Sequence, residues 1–439
     1  MRRAPQTEPG AQPAKPTRAR YLVVLLAISL AVLSYVQRVA ISQAEEPITR
    51  DLHVSTEKMG LIFGAFALAY ALFEVPMGLL GDRLGVRRVL TQIVLAWSIC
   101  TALTGAAWNV ASMVVIRFFF GAGEAGCFPN LTRMLSAWMP ARERVTAQAL
   151  MWAFARWGGA ITPPLALLAI HLFGWRWAFV HFATAGIVWC AVFLFWFRDD
   201  PAQHRSVNDA ERQLLESSRV LITHRPGEGN WLSVLLTRPV LILGLQYFCF
   251  SSVWYFYITW LPRYLREARG QSGTREAILA TLPLLFGGVG CLATGLAHRR
   301  LPRRAIAICG FLATAVLLVA ATRIQSVVPS MLAMAFASMA SDLTMPISWD
   351  ACVEIGGPYC ATVAACMNMM GNFGGFVAPF AGGVILARTH GNWNLLIELM
   401  AGLAVISALC WLYLDPEAVR REREVTHEPA AVSSDGLTP

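Results

Sequence analysis

The sequence predicts an all-α membrane protein whose twelve transmembrane helices form two six-helix bundles. The 439 residues are 56% hydrophobic and only 14% charged, whereas soluble domains carry about 25% charged residues. Apolar stretches recur along nearly the whole length, and a helix needs about 20 such residues to cross a bilayer. A polar segment after the sixth stretch divides the twelve into two equal sets.

The spans follow one another with short loops. The first six are predicted at 21–43, 57–80, 86–107, 110–134, 145–172 and 175–197, and the second six at 239–263, 274–297, 303–323, 327–350, 359–388 and 392–414. The two bundles therefore cover 21–197 and 239–415. Between them, 198–238 is a cytoplasmic linker with a helix-like pattern around DAERQLLESSRVL and a breaker at Arg225-Pro226-Gly227.

The two ends of the chain are predicted to be tails. Residues 1–20 are rich in Pro, Ala and Arg and lack the apolar core of a cleavable signal peptide. We expect a disordered cytoplasmic tail there and a second cytoplasmic tail at 416–439.

The basic residues predict the orientation in the membrane. The net charge of +9 comes almost entirely from arginine, because lysine occurs only at Lys15 and Lys58. These residues cluster in alternate loops, so the positive-inside rule places both termini in the cytoplasm. The loop between spans ten and eleven is an exception, because it carries Asp350 and Glu354. No basic stripe is interleaved with aromatic residues, which argues against nucleic-acid binding.

The cysteines do not suggest a metal or redox site. None of the ten forms a CxxC pair, and most lie inside apolar segments. They are interpreted as small buried residues. We expect neither a metal nor a cofactor.

Four charges lie at bilayer depth: Arg38, Arg117, Arg156 and Glu124. A charge at the centre of a span costs about 2.5–3.5 kcal/mol on insertion scales, so such residues suggest function. Glu124 follows Arg117 by seven positions in RFFFGAGEAGCFPN, which places both on one helix face about 10 Å apart. We expect them to line a polar cavity, with Arg117 binding an anion and Glu124 a proton. The alternative is a structural ion pair between helices.

Two turns repeat at equivalent places in the two halves. GLLGDRLGVRR (Gly78–Arg88) follows span two, and TGLAHRRLPRR (Thr294–Arg304) follows span eight. The first resembles the signature turn of the major facilitator superfamily. The resemblance implies that fold and a conformational latch formed by Gly78, Asp82, Arg83, Gly85, Arg87 and Arg88. The alternative is a basic turn that only sets topology. His298 replaces the acidic residue in the second turn, so a latch there is expected to be weaker or pH-sensitive.

Further segments resemble the anion:cation symporter branch of that superfamily, which includes bacterial permeases for sugar acids and aromatic acids. They are RFFFGAGEAGCFPN, AWMPARERVTAQA, WYFYITWLPRYLREARG, ASDLTMPISWDACVEIGG and MNMMGNFGGFVAP. The resemblance implies import of an organic anion by proton symport with alternating access, in the bacterial inner membrane. Expected partners are the anion, the proton and the bilayer, with the monomer as the functional unit.

The first span departs from the family pattern at one position. In SYVQRVAIS, Tyr35 and Arg38 match, but Gln37 stands where the family has an aspartate. Glu124 remains at the position of the family's second carboxylate. The resemblance therefore implies fewer coupled protons, or none.

The predicted substrate-binding set is completed by residues on several other spans. Arg38 and Arg117 are predicted to bind the carboxylate, and Asp342 is the second candidate for proton coupling. The remaining candidates are Tyr35, Gln37, Tyr70, Arg156, Tyr255, Asn368 and Asn372. For the tyrosines and asparagines, a packing role is an equal alternative.

Other classes of membrane protein remain open to different degrees. HExxH, GxSxG and a P-loop are absent from the sequence, so an enzyme or an ATP-driven carrier is not expected. A drug/proton antiporter is an alternative, but span five reads RWGGAITPPLA and lacks the glycine-proline-glycine pattern of antiporters. A non-transporting membrane sensor with the same fold is a further alternative.

Overall fold

The computed structural model describes residues 15–54, 56–216 and 231–416, and these residues form helices with no β-strand. Ten segments are long and apolar enough to cross a membrane. Two of them, Ala141–Trp196 and Val327–Arg388, each hold two crossings. The twelve predicted spans are thus accounted for. The breaker at Arg225-Pro226-Gly227 lies outside the described residues.

The first half contains seven helices. They are α1 (Ala19–Gln43), α2 (Glu45–Leu52), α3 (Thr56–Leu84), α4 (Val86–Gly105), α5 (Val110–Glu124), α6 (Cys127–Trp138) and α7 (Ala141–Trp196). α5 and α6 together make span four, and α7 makes spans five and six. The short α2 was not predicted.

The linker carries two short helices, and the second half carries eight. The linker helices are α8 (Asp209–Glu216) and α9 (Trp231–Leu235). The second half consists of α10 (Arg238–Thr259), α11 (Leu261–Glu267), α12 (Gly273–Ala297), α13 (Arg303–Arg323), α14 (Val327–Asp342), α15 (Met345–Gly356), α16 (Cys360–Arg388) and α17 (Trp393–Tyr413). Span ten is broken into α14 and α15 at Leu343–Thr344.

Two glycines mark the interruptions of the first half. Gly126 has φ of +81° and lies so close to α3 that a Cβ there would be 2.4 Å from the Cβ of Met77. Glycine meets both demands because it has no Cβ. Gly174, with φ 73° and ψ 157°, separates spans five and six inside α7. Because Gly126 ends the run after Glu124, that carboxylate lies at the end of a helix and not in the middle of one.

The linker is attached to the start of the first half. Glu211 of α8 is fully buried and accepts hydrogen bonds from the backbone nitrogens of Ala19 (3.4 Å) and Arg20 (3.3 Å). It also forms an ion pair with Arg20 at 2.9 Å and a hydrogen bond with the Thr17 hydroxyl. The prediction of a disordered tail up to residue 20 is therefore wrong for residues 15–20, because α8 caps the N-terminus of α1. Residues 1–14 lie outside the described part of the chain.

The apolar cores show how the halves meet. We call the end that carries Gly78–Arg88 and the linker the turn end, and the opposite end the far end. At the turn end one core holds residues of both halves, for example Phe128, Trp152 and Trp349. At the far end each half has its own core, around Trp175 in the first and Trp393 in the second. The halves are thus joined at the turn end and separate at the far end.

Candidate functional site

Arg38 and Glu124 form a buried ion pair inside the first half. The Arg38 Nη2 atom lies 3.1 Å from Glu124 Oε1, and Nε lies 3.3 Å from both carboxylate oxygens. The Ser34 hydroxyl, one turn before Arg38, donates a further hydrogen bond to Glu124. Glu124 is fully buried, while the Arg38 side chain is 24% exposed. This pair joins α1 to the end of α5 and leaves part of the Arg38 side chain accessible.

Arg117 lies near this pair but does not join it. The side chain is 2% exposed, and its Nε has no hydrogen-bond partner among the described residues. Its guanidinium stacks 4.3 Å from the Phe120 ring centroid and 5.1 Å from that of Phe66. Two helical turns separate it from Glu124, so a direct contact on one straight helix is out of reach. Arg117 is therefore a buried cation whose hydrogen-bonding capacity is not fully used.

The aromatic rings bring Arg38 and Arg117 together. Arg38 lies over the rings of Tyr70 (4.8 Å), Phe66 (5.4 Å) and Tyr35 (5.6 Å). Phe66 thus contacts both arginines. Rings next to a guanidinium stabilise its charge by cation–π attraction. Tyr35, Tyr70, Arg38 and Arg117 of the predicted set therefore converge on one region.

Gln37 does not face that region. Its Nε2 donates to the carbonyl of Phe182 at 2.6 Å, and its Oε1 accepts from Thr101 at 3.0 Å. The side chain is fully buried between α1, α4 and α7. The expectation of a substrate contact disagrees with this placement, because both ends of the amide already have partners within the first half. The residue one position from Arg38 points about 100° away around the helix.

Arg156 and Asp342 form a second ion pair, which links the halves. Their Nη2 and Oδ1 atoms are 2.8 Å apart, with both side chains 3% exposed or less. Trp254 covers the guanidinium at 4.5 Å. Asp342 Oδ2 and Arg156 Nε have no hydrogen-bond partner in the described residues. A predicted substrate residue and a predicted proton residue are thus partners of each other.

Glu74 was missed in the sequence, although it lies within the apolar run AYALFEVPMG of span two. The side chain is fully buried. Asn372 donates to its Oε2 at 3.1 Å, and Asn368 donates to its Oε1. Both asparagines come from α16 in the other half. The signal that should have found Glu74 is the same one that found Glu124, an acidic residue in an apolar span.

Tyr255 and Tyr257 of α10 point in different directions. Tyr255 packs against Gly375 so closely that a Cβ there would be 2.1 Å from its ring. Its hydroxyl is near enough to Arg38 and Arg156 to interact with their charges. Tyr255 therefore belongs with Tyr35, Tyr70, Arg38 and Arg117, whose surroundings we call the central region. Tyr257 is 3% exposed, and its hydroxyl has no hydrogen-bond partner among the described residues.

Three aromatic rings lie between the central region and the turn end. Phe128 stacks on Trp152 at 4.5 Å, and Trp152 lies 5.0 Å from Trp349. The first two belong to the first half and Trp349 to the second. The ring centroids of Tyr35 and Phe128 are 6.2 Å apart in an edge-on arrangement. We call Phe128, Trp152 and Trp349 the aromatic floor, and it adjoins the predicted site on the side of the turn end.

Below the floor, Asp82 contacts both its own half and the other one. It forms an ion pair with Arg133 at 2.6 Å. It also accepts hydrogen bonds from the backbone nitrogens of Thr362 (2.8 Å) and Ala361 (3.2 Å), and from the Thr362 hydroxyl (2.6 Å). These donors form the first turn of α16, where the helix dipole also favours a carboxylate.

The other residues of the turn Gly78–Arg88 have three kinds of environment. Gly78 allows α3 to approach α16, because a Cβ there would lie 2.6 Å from the carbonyl oxygen of Ala361. Arg87 binds within the first half, with its backbone nitrogen 2.9 Å from Asp199, and Gly85 has φ of +86°. Arg83 and Arg88 are exposed.

The acidic residues Asp350 and Glu354 find their partners at the same end. Arg144 of the first half lies 3.0 Å from Asp350 and 3.3 Å from Glu354. Arg303 of the second turn contacts both at 2.8 Å. Asp350 and Glu354, which lie in α15 and not in a loop, thus neutralise the buried Arg144 and the partly buried Arg303. This pairing accounts for acidic residues where the charge pattern predicts basic ones. His298 reaches across the halves to the carbonyl of Arg142 at 3.2 Å.

The hydrogen bonds and ion pairs that Asp82, Arg144, Arg156, His298 and Asn372 make between the halves lie at the turn end or near the middle of the helices. The described part of the chain contains no cluster of side chains suited to a metal ion. The central region offers arginines for an anion and buried carboxylates for protons, and it lies where the shared core gives way to the separate cores of the far end.

Comparison with known proteins decides the family. The sequence profile described as Major Facilitator Superfamily matches residues 26–379. The chain belongs to the Major Facilitator Superfamily. A solved structure of another superfamily protein, the proton:xylose symporter XylE, superposes with a TM-score of 0.75 over 90% of this chain and 96% of that one. At 14% identity this likeness concerns the fold alone.

Several superfamily relatives are similar over nearly their whole length. A probable sulfoacetate transporter of Cupriavidus necator is 31% identical, with 91% of this chain and 94% of the relative covered. A probable galactarate/D-glucarate transporter of Escherichia coli is 28% identical, with 93% and 97% covered. A hexuronate transporter of Bacillus subtilis is 25% identical, with 94% and 97% covered.

Proposed function

We propose that this superfamily member imports a small organic anion together with a proton, by alternating access across the bacterial inner membrane. The observation that carries the proposal is the buried Arg38–Glu124 pair next to the incompletely bonded Arg117. The relatives named for sulfoacetate, galactarate/D-glucarate and hexuronates support an acidic substrate. The arginines that cluster in the loops of the turn end support its placement on the cytoplasmic side of the membrane.

Competition for Arg38 couples the two solutes. An ionised Glu124 forms an ion pair with the Arg38 guanidinium, so an anion must displace the carboxylate of Glu124 or bind beside it. A protonated Glu124 no longer attracts the guanidinium as strongly, and Arg38 becomes free for the anion. Proton and anion then favour each other's binding, and such coupling is reciprocal. This is the behaviour that a symporter requires.

The chemistry of the site favours a carboxylate or sulfonate over an uncharged solute. Arginine presents a planar fork that binds two oxygens at once. The Nε of Arg117 lacks a hydrogen-bond partner among the described residues, and the Arg38 side chain is partly exposed. The aromatic rings around them would cover the apolar part of a small acid. A cationic drug would meet like charges, which disfavours the antiporter alternative.

Alternating access would proceed by release of the turn end. Asp82 and Arg133 would hold α3, α6 and α16 together in the present arrangement. Their separation, with that of the Arg144 and Arg303 cluster, would open the site to the cytoplasm. Since one chain supplies both halves of the site, we propose that the monomer is the functional unit.

Transport into reconstituted vesicles tests the proposal. The purified protein would be offered radiolabelled sulfoacetate, galactarate, D-glucarate and a hexuronate under an inward proton gradient. We expect uphill accumulation of at least one acid, abolished when the gradient is dissipated. Accumulation that ignores the proton gradient, or uptake of none of these acids, would contradict the proposal.

The Glu124→Gln variant separates binding from coupling. Glutamine resembles the protonated carboxyl group, so the variant should keep substrate counterflow and lose uphill accumulation. Glu46→Gln, which changes an exposed carboxylate of the same half, is the matched control and should behave as wild type. Undiminished uphill transport by Glu124→Gln would show that the coupling proton is carried elsewhere.

A further inference from the structure

Glu74 is a buried carboxylate that has no part in the proposed competition of Glu124 and the anion for Arg38. Its two oxygens are hydrogen-bonded by the side-chain amides of Asn368 and Asn372. No cation lies within ion-pair distance of it in the described residues, in contrast to Glu124, Asp82 and Asp342. A buried ion without a counter-ion is costly, and protonation removes that cost. Glu74 is therefore suited to take up a proton.

The surroundings of Glu74 come from three other helices. Arg38 of α1 is the cation in electrostatic range. Tyr255 of α10 and Cys366 of α16 are the titratable groups facing it from the second half. On α3 itself, Tyr70 lies one turn away. None of these neighbours forms an ion pair with the carboxylate.

Glu74 also belongs to a row of contacts between the halves. Glu74, Gly78 and Asp82 are four residues apart and thus share one face of α3. Each meets α16: Glu74 at Asn368, Gly78 at Ala361 and Asp82 at the first turn. The charge state of Glu74 therefore acts on the same helix contact that Asp82 holds.

We propose that Glu74 is a second proton-binding site, which replaces the carboxylate that Gln37 lacks and gives the carrier two coupled protons. An ionised Glu74 accepts two charge-assisted hydrogen bonds, which are about twice as strong as neutral ones, and so holds α3 against α16. Protonation weakens this tie and lets the turn end open. A proton that enters from the far end would thereby be carried inward. This inference rests on the proposed proton symport, which it extends.

Infrared difference spectroscopy of the substrate-free protein tests proton binding at Glu74. A pH titration of reconstituted wild type should contain a protonated-carboxyl C=O band that Glu74→Gln lacks. Glu124→Gln should lack a different band, and Glu46→Gln should lose neither. Asn372→Leu should keep the Glu74 band but shift it, because one amide donor is removed. If Glu74→Gln loses no band, the second proton site is refuted, whatever the protein transports.

Transport stoichiometry tests the coupling. With sulfoacetate as the probe and the membrane potential clamped at zero, each coupled proton multiplies the limiting accumulation about tenfold per pH unit, since 1.4 kcal/mol is a factor of ten. Glu74→Gln should therefore accumulate about tenfold less than wild type at a gradient of one unit. Equal limits for the two proteins would overturn the coupling role. Failure of the wild-type protein to transport sulfoacetate would instead count against the proposed substrate class. The infrared experiment would still decide whether Glu74 binds a proton, because it does not depend on transport.

Discussion

Three arginines inside the membrane have three different environments. Arg38 pairs with a carboxylate of its own half, Arg156 with one of the other half, and Arg117 with aromatic rings. A guanidinium whose donors are satisfied contributes to packing, whereas one with free donors can accept an anion. At the scale of single residues, Arg117 differs from the other two because it has no ion-pair partner among the described residues and its Nε is unbonded, and we therefore propose it for a substrate oxygen.

Arg117→Lys should impair uptake although the positive charge is retained. Lysine lacks the planar fork and the stacking face that contacts Phe120. The loss of one charge-assisted hydrogen bond, about 1.5–3 kcal/mol, should raise the substrate KM by at least about tenfold. Initial-rate uptake into vesicles measures this. Arg323→Lys, on the surface at 74% exposure, is the control. Wild-type kinetics in Arg117→Lys would exclude it from the site.

At the scale of helices, two attachments determine which elements move together. Asp82 ties α3 to the first turn of α16, and Glu211 of the linker ties α8 to the first turn of α1. Each uses a carboxylate at a helix N-terminus, where free backbone nitrogens and the dipole favour negative charge. The first joins the halves, and the second fastens the linker to one of them.

Asp82→Asn should slow turnover while leaving substrate affinity within a few-fold of wild type. The amide keeps the shape of the side chain but loses the ion pair with Arg133 and the charge at the α16 terminus. Vesicle uptake gives turnover, and ligand-induced thermal shift gives affinity. Arg88→Gln, an exposed change in the same turn, should alter neither. A collapse of affinity with normal turnover of the bound fraction would contradict a latch role.

The linker should detach as the pH falls. His204 packs between Trp138 and Trp196 and accepts a hydrogen bond from the Ser206 backbone nitrogen at 3.1 Å. Burial lowers the pKa of His204. When the linker detaches, His204 is no longer buried and binds a proton more readily. Docking of the linker is therefore fully stable above the ordinary histidine pKa of about 6.5 and weakens as the pH falls below it.

Hydrogen exchange of the linker, corrected for intrinsic rates, should therefore accelerate on acidification. His204→Gln should remove most of this pH dependence, while His171→Gln, an exposed histidine, should leave it intact. Identical pH dependence in wild type and His204→Gln would rule out this histidine as the cause.

At the scale of the whole molecule, the halves share one core at the turn end and have separate cores at the far end. The shared end also holds the charge cluster in which the partly buried Arg303 joins the buried Arg144, Asp350 and Glu354. Because the polar contacts and the shared core coincide, the turn end is the closed one in this state. Opening it requires both to be broken.

Arg144→Met should loosen the turn end. Breaking a buried ion pair costs about 3–5 kcal/mol, an upper bound here because Arg303 remains with the two carboxylates. We expect maleimide to label the buried Cys360 at least about tenfold faster, as read by peptide mass spectrometry. Arg266→Met breaks a pair at the far end whose arginine is 54% exposed and should not change the rate. Unchanged labelling in Arg144→Met would mean that the shared core alone keeps this end closed.

The sequence by itself determined the twelve spans, their division into two halves and most of the charges in the membrane. Hydrophobic length and the cost of embedded charge are local properties, so α13 begins and ends where it was predicted, at 303 and 323. The turn Gly78–Arg88 was identifiable because its basic cluster, its repeat in the second half and its resemblance to a family motif are all visible in the sequence. Overlooking Glu74 was an omission, because its residue type and setting were already visible in the sequence.

Only the tertiary structure decided which charges meet. Helical periodicity relates Arg117 to Glu124 within one span, but it does not say which neighbouring helix each face contacts. Glu124 pairs with Arg38 across 86 positions, and Glu74 meets Asn368 across 294. Such partners are fixed by the packing of twelve helices and by the state in which the halves are joined. For that reason the sequence could propose candidate residues such as Arg38, Arg117 and Glu124, whereas their pairing, and the closed turn end, came from the fold.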